Sequence, residues 1–171
     1  MGRVVLVIGG ARSGKTAFAL AKASEAPGTK VYVATAQPLD GEMVARIEAH
    51  KRQRGSLWET LEEPLDLGRA IEAACRTHPV AVIDCLTLWL SNLLCARADF
   101  VAAETAFIDA LNALPAPSQV FVVSNEVGMG IVPENEMARQ FRDMAGRLNQ
   151  RVAEAADEVF LVAAGIPVKI K

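Results

Sequence analysis

Eight consecutive residues, Gly9-Gly10-Ala11-Arg12-Ser13-Gly14-Lys15-Thr16, fit the spacing G-x-x-x-x-G-K-[ST]. The chemistry this run supports is phosphate binding. Its glycines let successive backbone N–H groups curl around an anion, Lys15 adds a point charge, and the Thr16 hydroxyl offers an oxygen to Mg²⁺. The run follows a short apolar stretch and opens a helical pattern, so a helix N-terminus would add partial positive charge at the same place. A nucleoside triphosphate is the expected ligand.

Two further groups suit that ligand. Asp84 closes the apolar run Val80-Ala81-Val82-Ile83 and should emerge at the sheet edge that carries the loop, where an acid would meet Mg²⁺. The alternative is an acid that caps the following helix. Glu42, Arg46, His50 and Arg54 recur at steps of four, with Lys51 and Arg52 adjacent. Cations around His50 favour the neutral imidazole that a nucleophile needs and would hold the phosphates it attacks. The alternative there is a solvated, charged helix face with an incidental histidine. Ser124 to Glu136 is a polar, glycine-containing segment that suits a lid or a substrate loop, the alternative being an ordinary connection.

The elements that must position these groups alternate. Val4 to Ile8, Val31 to Ala34, Val80 to Ile83 and Val120 to Val123 are continuous apolar runs, as expected of strands buried on both faces of a parallel sheet. Between them the pattern predicts helices over 16–26, 40–54, 66–77, 86–96 and 100–114. Asp40 and Asp66 are the expected caps of the second and third. A long helix is expected from Pro133, with Met137, Phe141, Met144, Leu148 and Val152 on one core-facing stripe. Val159 to Val162 and Val168 to Ile170 flank Ala164-Gly165 and predict a closing hairpin, with Pro167 placing the last strand at an edge. Trp58 to Glu62 suits one more short strand. The expected fold is α/β: an open, mostly parallel sheet flanked by helices, like that of phosphate-loop nucleotide hydrolases, with a C-terminal hairpin edge and ligands at the strands' carboxyl ends.

The 171 residues predict one domain spanning 1–171, and 51% hydrophobic with 22% charged residues supply its core. A net charge of -2 disfavours nucleic-acid and anionic-membrane partners. No apolar run approaches a membrane span, and Leu6 stands where a myristoylation signal wants Ser or Thr. Cys75, Cys85 and Cys95 lie in helical or buried patterns without metal-ligand spacing, so they read as packing residues of a cytoplasmic protein.

Gly9 to Lys15, Ala45-Arg46-Ile47 with His50, Trp58-x-Thr60-x-Glu62-x-Pro64, Ser124 to Pro133 and Ala145 to Gln150 together resemble the bifunctional adenosylcobinamide kinase/adenosylcobinamide-phosphate guanylyltransferase family of cobalamin biosynthesis. The resemblance implies phosphorylation of adenosylcobinamide with ATP or GTP, then transfer of GMP from GTP to the product phosphate with release of pyrophosphate. It further implies that His50 carries a covalent guanylyl group, that Lys15 is catalytic, and that Gly9 to Thr16, Glu62 and Asp84 bind nucleotide. Mg²⁺ held by Thr16 and Asp84 and a homotrimer follow in the same way. Two other classes share parts of the pattern. A small-alcohol kinase would need the phosphate loop but no nucleophile, and a nucleotide switch would be expected to carry N-K-x-D, whereas Asn125 is followed by Glu126 and Val127.

Overall fold

The computed structural model describes residues 1–37, 41 and 57–171. Its strands form one sheet. In chain order the elements are β1 (Arg3–Gly9), α1 (Lys15–Glu25), β2 (Lys30–Ala34), β3 (Trp58–Glu62), α2 (Leu67–Thr77), β4 (Val80–Asp84), α3 (Leu86–Cys95), α4 (Phe100–Asn112), β5 (Gln119–Asn125), α5 (Glu136–Ala155), β6 (Glu158–Ala163) and β7 (Ile166–Lys169). The strand order is β3-β2-β4-β5-β1-β6-β7. All neighbours pair in parallel except β6 with β7, the expected hairpin. The expected helix over 40–54 falls outside the described residues apart from Gly41.

The apolar runs are continuous because both sheet faces are covered. On β1, Val4 and Leu6 enter one core with Trp89, Phe107 and Leu148, while Val5 and Val7 enter the other with Ala19 and Ala23 of α1. Small alanines let α1 lie close to the sheet. On the opposite face Trp89 is fully buried, its ring centroid 5.4 Å from that of Phe107, and its Nε1–H donates to the Leu65 carbonyl at 2.7 Å. Asp66, Asp99 and Asn135 cap α2, α4 and α5, each carboxylate or amide oxygen accepting from a backbone N–H three residues on. At the far edge Arg3 and Lys169 both pair with Glu158. The Lys169 hydrogen bond comes first among the causes that hold the Glu158 carboxyl below its usual range.

Three expectations change. The long helix starts at Glu136, behind the Asn135 cap, rather than at Pro133; the Pro133 and Glu134 carbonyls instead accept from the Arg139 guanidinium. Met137 is 73% exposed and not core, while Phe141 and Met144 are only partly buried. Asn149, next to the buried Leu148, donates to the carbonyl of Asn125, which places this part of the helix beside the carboxyl end of β5. At 1.5 Å per residue, Glu136 then stands about 20 Å back along the helix, past the sheet edge. Cys75 and Cys85 are buried as expected, but Cys95, at the last turn of α3, is exposed.

Candidate nucleotide site

The register brings the sequence-selected residues to one edge. Gly9 ends β1 opposite Asn125 of β5, and Glu62, Ala34 and Asp84 share one row across β3, β2 and β4. Two strand spacings separate Glu62 from Asp84, about 10 Å. Glu62 is exposed at that edge.

Between β1 and α1 the chain wraps tightly. Arg12 and Gly14 take positive φ, 56° and 93°, which turns the backbone back over itself before α1. Gly9 has no room for a side chain: a Cβ would lie 2.4 Å from the Val162 carbonyl oxygen and 2.6 Å from Ser13 Oγ. The loop is tied to the rest of the edge by Gly165 N–H donating to the Ser13 carbonyl at 2.8 Å and Glu126 N–H donating to the Gly9 carbonyl at 3.0 Å. Lys15 is buried, and its Nζ donates to the Gly10 carbonyl at 3.1 Å, which folds the ammonium back over the loop. Ser13 Oγ is buried without a hydrogen-bond partner. An orphaned hydroxyl inside a curl of N–H groups fits an incoming phosphate oxygen.

Asp84 joins this loop to the neighbouring strand. Its Oδ2 accepts from Thr16 Oγ1 at 3.1 Å and from the Tyr32 hydroxyl at 2.6 Å. The first residue of α1 after the lysine and the carboxylate at the end of β4 are therefore in direct contact across 68 residues of chain. Behind them Thr35 Oγ1 accepts from Cys85 N–H at 2.8 Å and donates to the Cys85 carbonyl at 2.9 Å. Thr87 Oγ1 accepts from Asn125 N–H at 2.9 Å. Burial, and then the negative charge of Asp84, push the Cys85 thiol up to about 11. It is a packed thiol rather than a nucleophile.

Lys15, Thr16 and Asp84 thus come together, with Glu62 in the same register row. Residues 42–56, with His50, lie outside the described residues. Tyr32, Thr35 and Thr87 support the site without having been singled out from sequence. Tyr32 left one signal: it is the sole tyrosine, placed within a buried apolar strand where a phenol needs a partner.

Solved structures with similar folds include the RadB recombinase, at TM-score 0.54 and 18% identity over 93% of this chain and 73% of that one. A type III secretion ATPase gives TM-score 0.55 and 12% identity over 98% of this chain and 56% of that one. These likenesses concern the fold. Among curated proteins, the bifunctional adenosylcobalamin biosynthesis protein CobU of Salmonella typhimurium is 47% identical over 98% of this chain and 99% of its own length. CobP of Pseudomonas aeruginosa, which carries the same bifunctional description, is 42% identical over 97% and 96%. Residues 5–170 match the profile described as CobU, cobinamide kinase/cobinamide phosphate guanyltransferase. With the phosphate loop at the carboxyl edge of a parallel sheet and both the profile and the relatives spanning nearly the whole sequence, the chain belongs to the CobU family of cobinamide kinases/cobinamide phosphate guanyltransferases.

Proposed function

We propose that the chain phosphorylates adenosylcobinamide with ATP or GTP and then transfers GMP from GTP to the resulting phosphate, through a guanylyl group carried by His50. The observation that carries the reading is the cluster of Lys15, Thr16 and Asp84 beside the orphaned Ser13 hydroxyl, in a chain of the CobU family. In the first reaction the acceptor hydroxyl oxygen attacks the γ-phosphorus, the bond to the bridging oxygen breaks, the nucleoside diphosphate leaves and the hydroxyl proton passes to water. Lys15 and the N–H groups of Gly10 to Thr16 hold the phosphates and offset their charge as it redistributes.

Thr16 and Asp84 fit a hard cation. Both present oxygen, and Mg²⁺ prefers oxygen donors and keeps several waters and substrate phosphate oxygens around itself. When bound, Mg²⁺ would draw charge from the phosphate oxygens. Tyr32, by donating to Asp84 Oδ2, fixes where that carboxylate sits. In this reading the Glu62 carboxylate, from the Asp84 row, accepts from the nucleotide's ribose or base.

In the second reaction a ring nitrogen of His50 attacks the α-phosphorus of GTP, a P–N bond forms and pyrophosphate leaves. The acceptor phosphate oxygen then displaces the imidazole, the P–N bond breaks and the histidine is returned. Splitting one displacement between anions into two steps is what a covalent nucleophile contributes. The full active unit is read as a homo-oligomer, a trimer by family resemblance.

Incubation with α-labelled GTP tests the reading. Label is expected in a bond stable to base and labile to acid, with none from γ-labelled GTP. His50→Asn is expected to lose the label and guanylyl transfer yet keep most of the kinase rate. A folded Asn variant that still takes up α-label would place the nucleophile elsewhere.

A further inference from the structure

The segment after β5 and the middle of α5 do nothing in the chemistry above, although Ser124 to Pro133 and Ala145 to Gln150 belong to the motifs that carry the family resemblance. They enclose an open groove of about 560 Å³ lined by Gly128, Gly130 and Val132 on one side and by Arg142, Gly146 and Arg147 on the other. Its location separates it from the other grooves of the described residues. One of those opens between Arg3 and Gln119, the first residues of β1 and β5; another lies between His78 and Ser118, just before β4 and β5. Both are at the amino ends of strands, where no group reaches the phosphate loop. The groove beside α5 opens at the carboxyl edge, rooted in Glu126, whose N–H is bonded to Gly9 of the loop strand.

Its chemistry is amphipathic. Met129 and Ile131, which alternate in the chain with the lining residues Gly128, Gly130 and Val132, are 78% and 96% exposed, so the loop that forms this wall carries apolar side chains open to solvent. Arg147 has no carboxylate partner among the described residues. Arg142 meets Asp143 only at 3.6 Å, leaving N–H donors of both guanidiniums for a ligand, with Asp143 itself at the groove. At Gly130 and Gly146 a side chain would meet nothing, so the lining is open rather than packed. An open groove with donors on its helix wall and apolar side chains on its loop wall suits a flat, bulky ring whose periphery carries amides.

Resting on the proposed function, we propose that this groove and its rim seat the corrin ring of the acceptor. The ring face lies on Val132 and on the exposed Met129 and Ile131 of the same loop, and its peripheral carboxamide oxygens accept from Arg142 and Arg147. The side chain that is phosphorylated would then reach over Gly9 toward the phosphate loop. Because the ring is common to both acceptors, one seat serves both reactions.

The test uses Arg147→Gln and the double variant Met129→Ser/Ile131→Ser, all exposed positions whose replacement leaves the core intact. Cobinamide binding is followed by equilibrium dialysis through its visible absorbance, together with KM and kcat of the kinase reaction. Expected is about a tenfold weaker dissociation constant and a matching rise in corrinoid KM, with kcat at saturation and the KM for nucleotide retained. Unchanged cobinamide affinity in the folded variants overturns the assignment. So does weakened binding accompanied by dissociation into single chains in sedimentation, which would make the face a contact between copies. If the unmodified chain binds cobinamide but takes no label from α-labelled GTP, the histidine reading fails and the groove stands. If it binds nucleotide but no cobinamide, the groove and the proposed acceptor fall together.

Discussion

The Tyr32 hydroxyl donates to Asp84 Oδ2 at 2.6 Å, the same oxygen that accepts from Thr16. A buried phenol thus holds in place the carboxylate beside the glycine-rich loop, although the two residues are 52 apart in sequence and on adjacent strands. A hydrogen bond to a charged group contributes about 1.5 to 3 kcal/mol. Tyr32→Phe is therefore expected to keep the fold with a lowered Tm and to raise the Mg²⁺ concentration for half-maximal kinase rate a few-fold. Asp84→Asn, which keeps the shape and loses the charge, should raise it further. A Mg²⁺ titration unchanged in both variants would leave Asp84 with a purely structural role.

Lys15→Ala removes the ammonium that folds back over the loop onto the Gly10 carbonyl. Loss of a group that stabilises developing phosphoryl charge costs on the order of a hundredfold in rate, so both kinase and guanylyl transfer should fall at least that far. Steady-state rates in a variant with native circular dichroism measure this. Near-normal turnover would refute the assignment of the loop.

Gly9→Ala asks for a methyl group 2.4 Å from a backbone oxygen of β6, which cannot swing aside as a side chain would. Overpacking of this kind costs about 1 to 3 kcal/mol. Denaturant unfolding should show that loss together with weakened nucleotide binding, because the same displacement moves Ser13. Gly130→Ala, where a Cβ meets nothing, is the control and should be near neutral.

Cys85 is expected to lower the stability of the fold in alkali. Burial first, and the Asp84 charge second, raise its thiol from 9.0 to about 11, so the folded protein holds that proton more tightly than the unfolded chain does. Stability from this group is complete below pH 9 and is lost as pH climbs from 9 through 11. Two pKa units correspond to about 2 to 3 kcal/mol. Cys85→Ser should flatten that part of the unfolding profile. At pH 8 a thiol reagent should modify exposed Cys95 in the native protein and spare Cys75 and Cys85.

The sequence by itself determined the order of elements, because each β-branched run and its flanking glycines or prolines act locally, and a strand buried on both faces leaves no choice of pattern. It determined the phosphate loop for the same reason: the spacing from Gly9 to Thr16 is a property of one short turn. Family membership too was legible, since motifs as separate as Trp58 to Pro64 and Ala145 to Gln150 can be read without knowing how they meet. Only the tertiary structure decided what each motif faces. That Tyr32 and Thr16 share one oxygen of Asp84 depends on strand order β2-β4 and on α1 lying across that face, which no local pattern encodes. Met137 lies on the apolar stripe at helical spacing, yet the helix leaves the sheet before reaching it, so periodicity promised a core that the lengths of β5 and α5 do not supply. The same overhang creates the groove beside Arg147, a consequence of where two elements end relative to one another rather than of any residue within them.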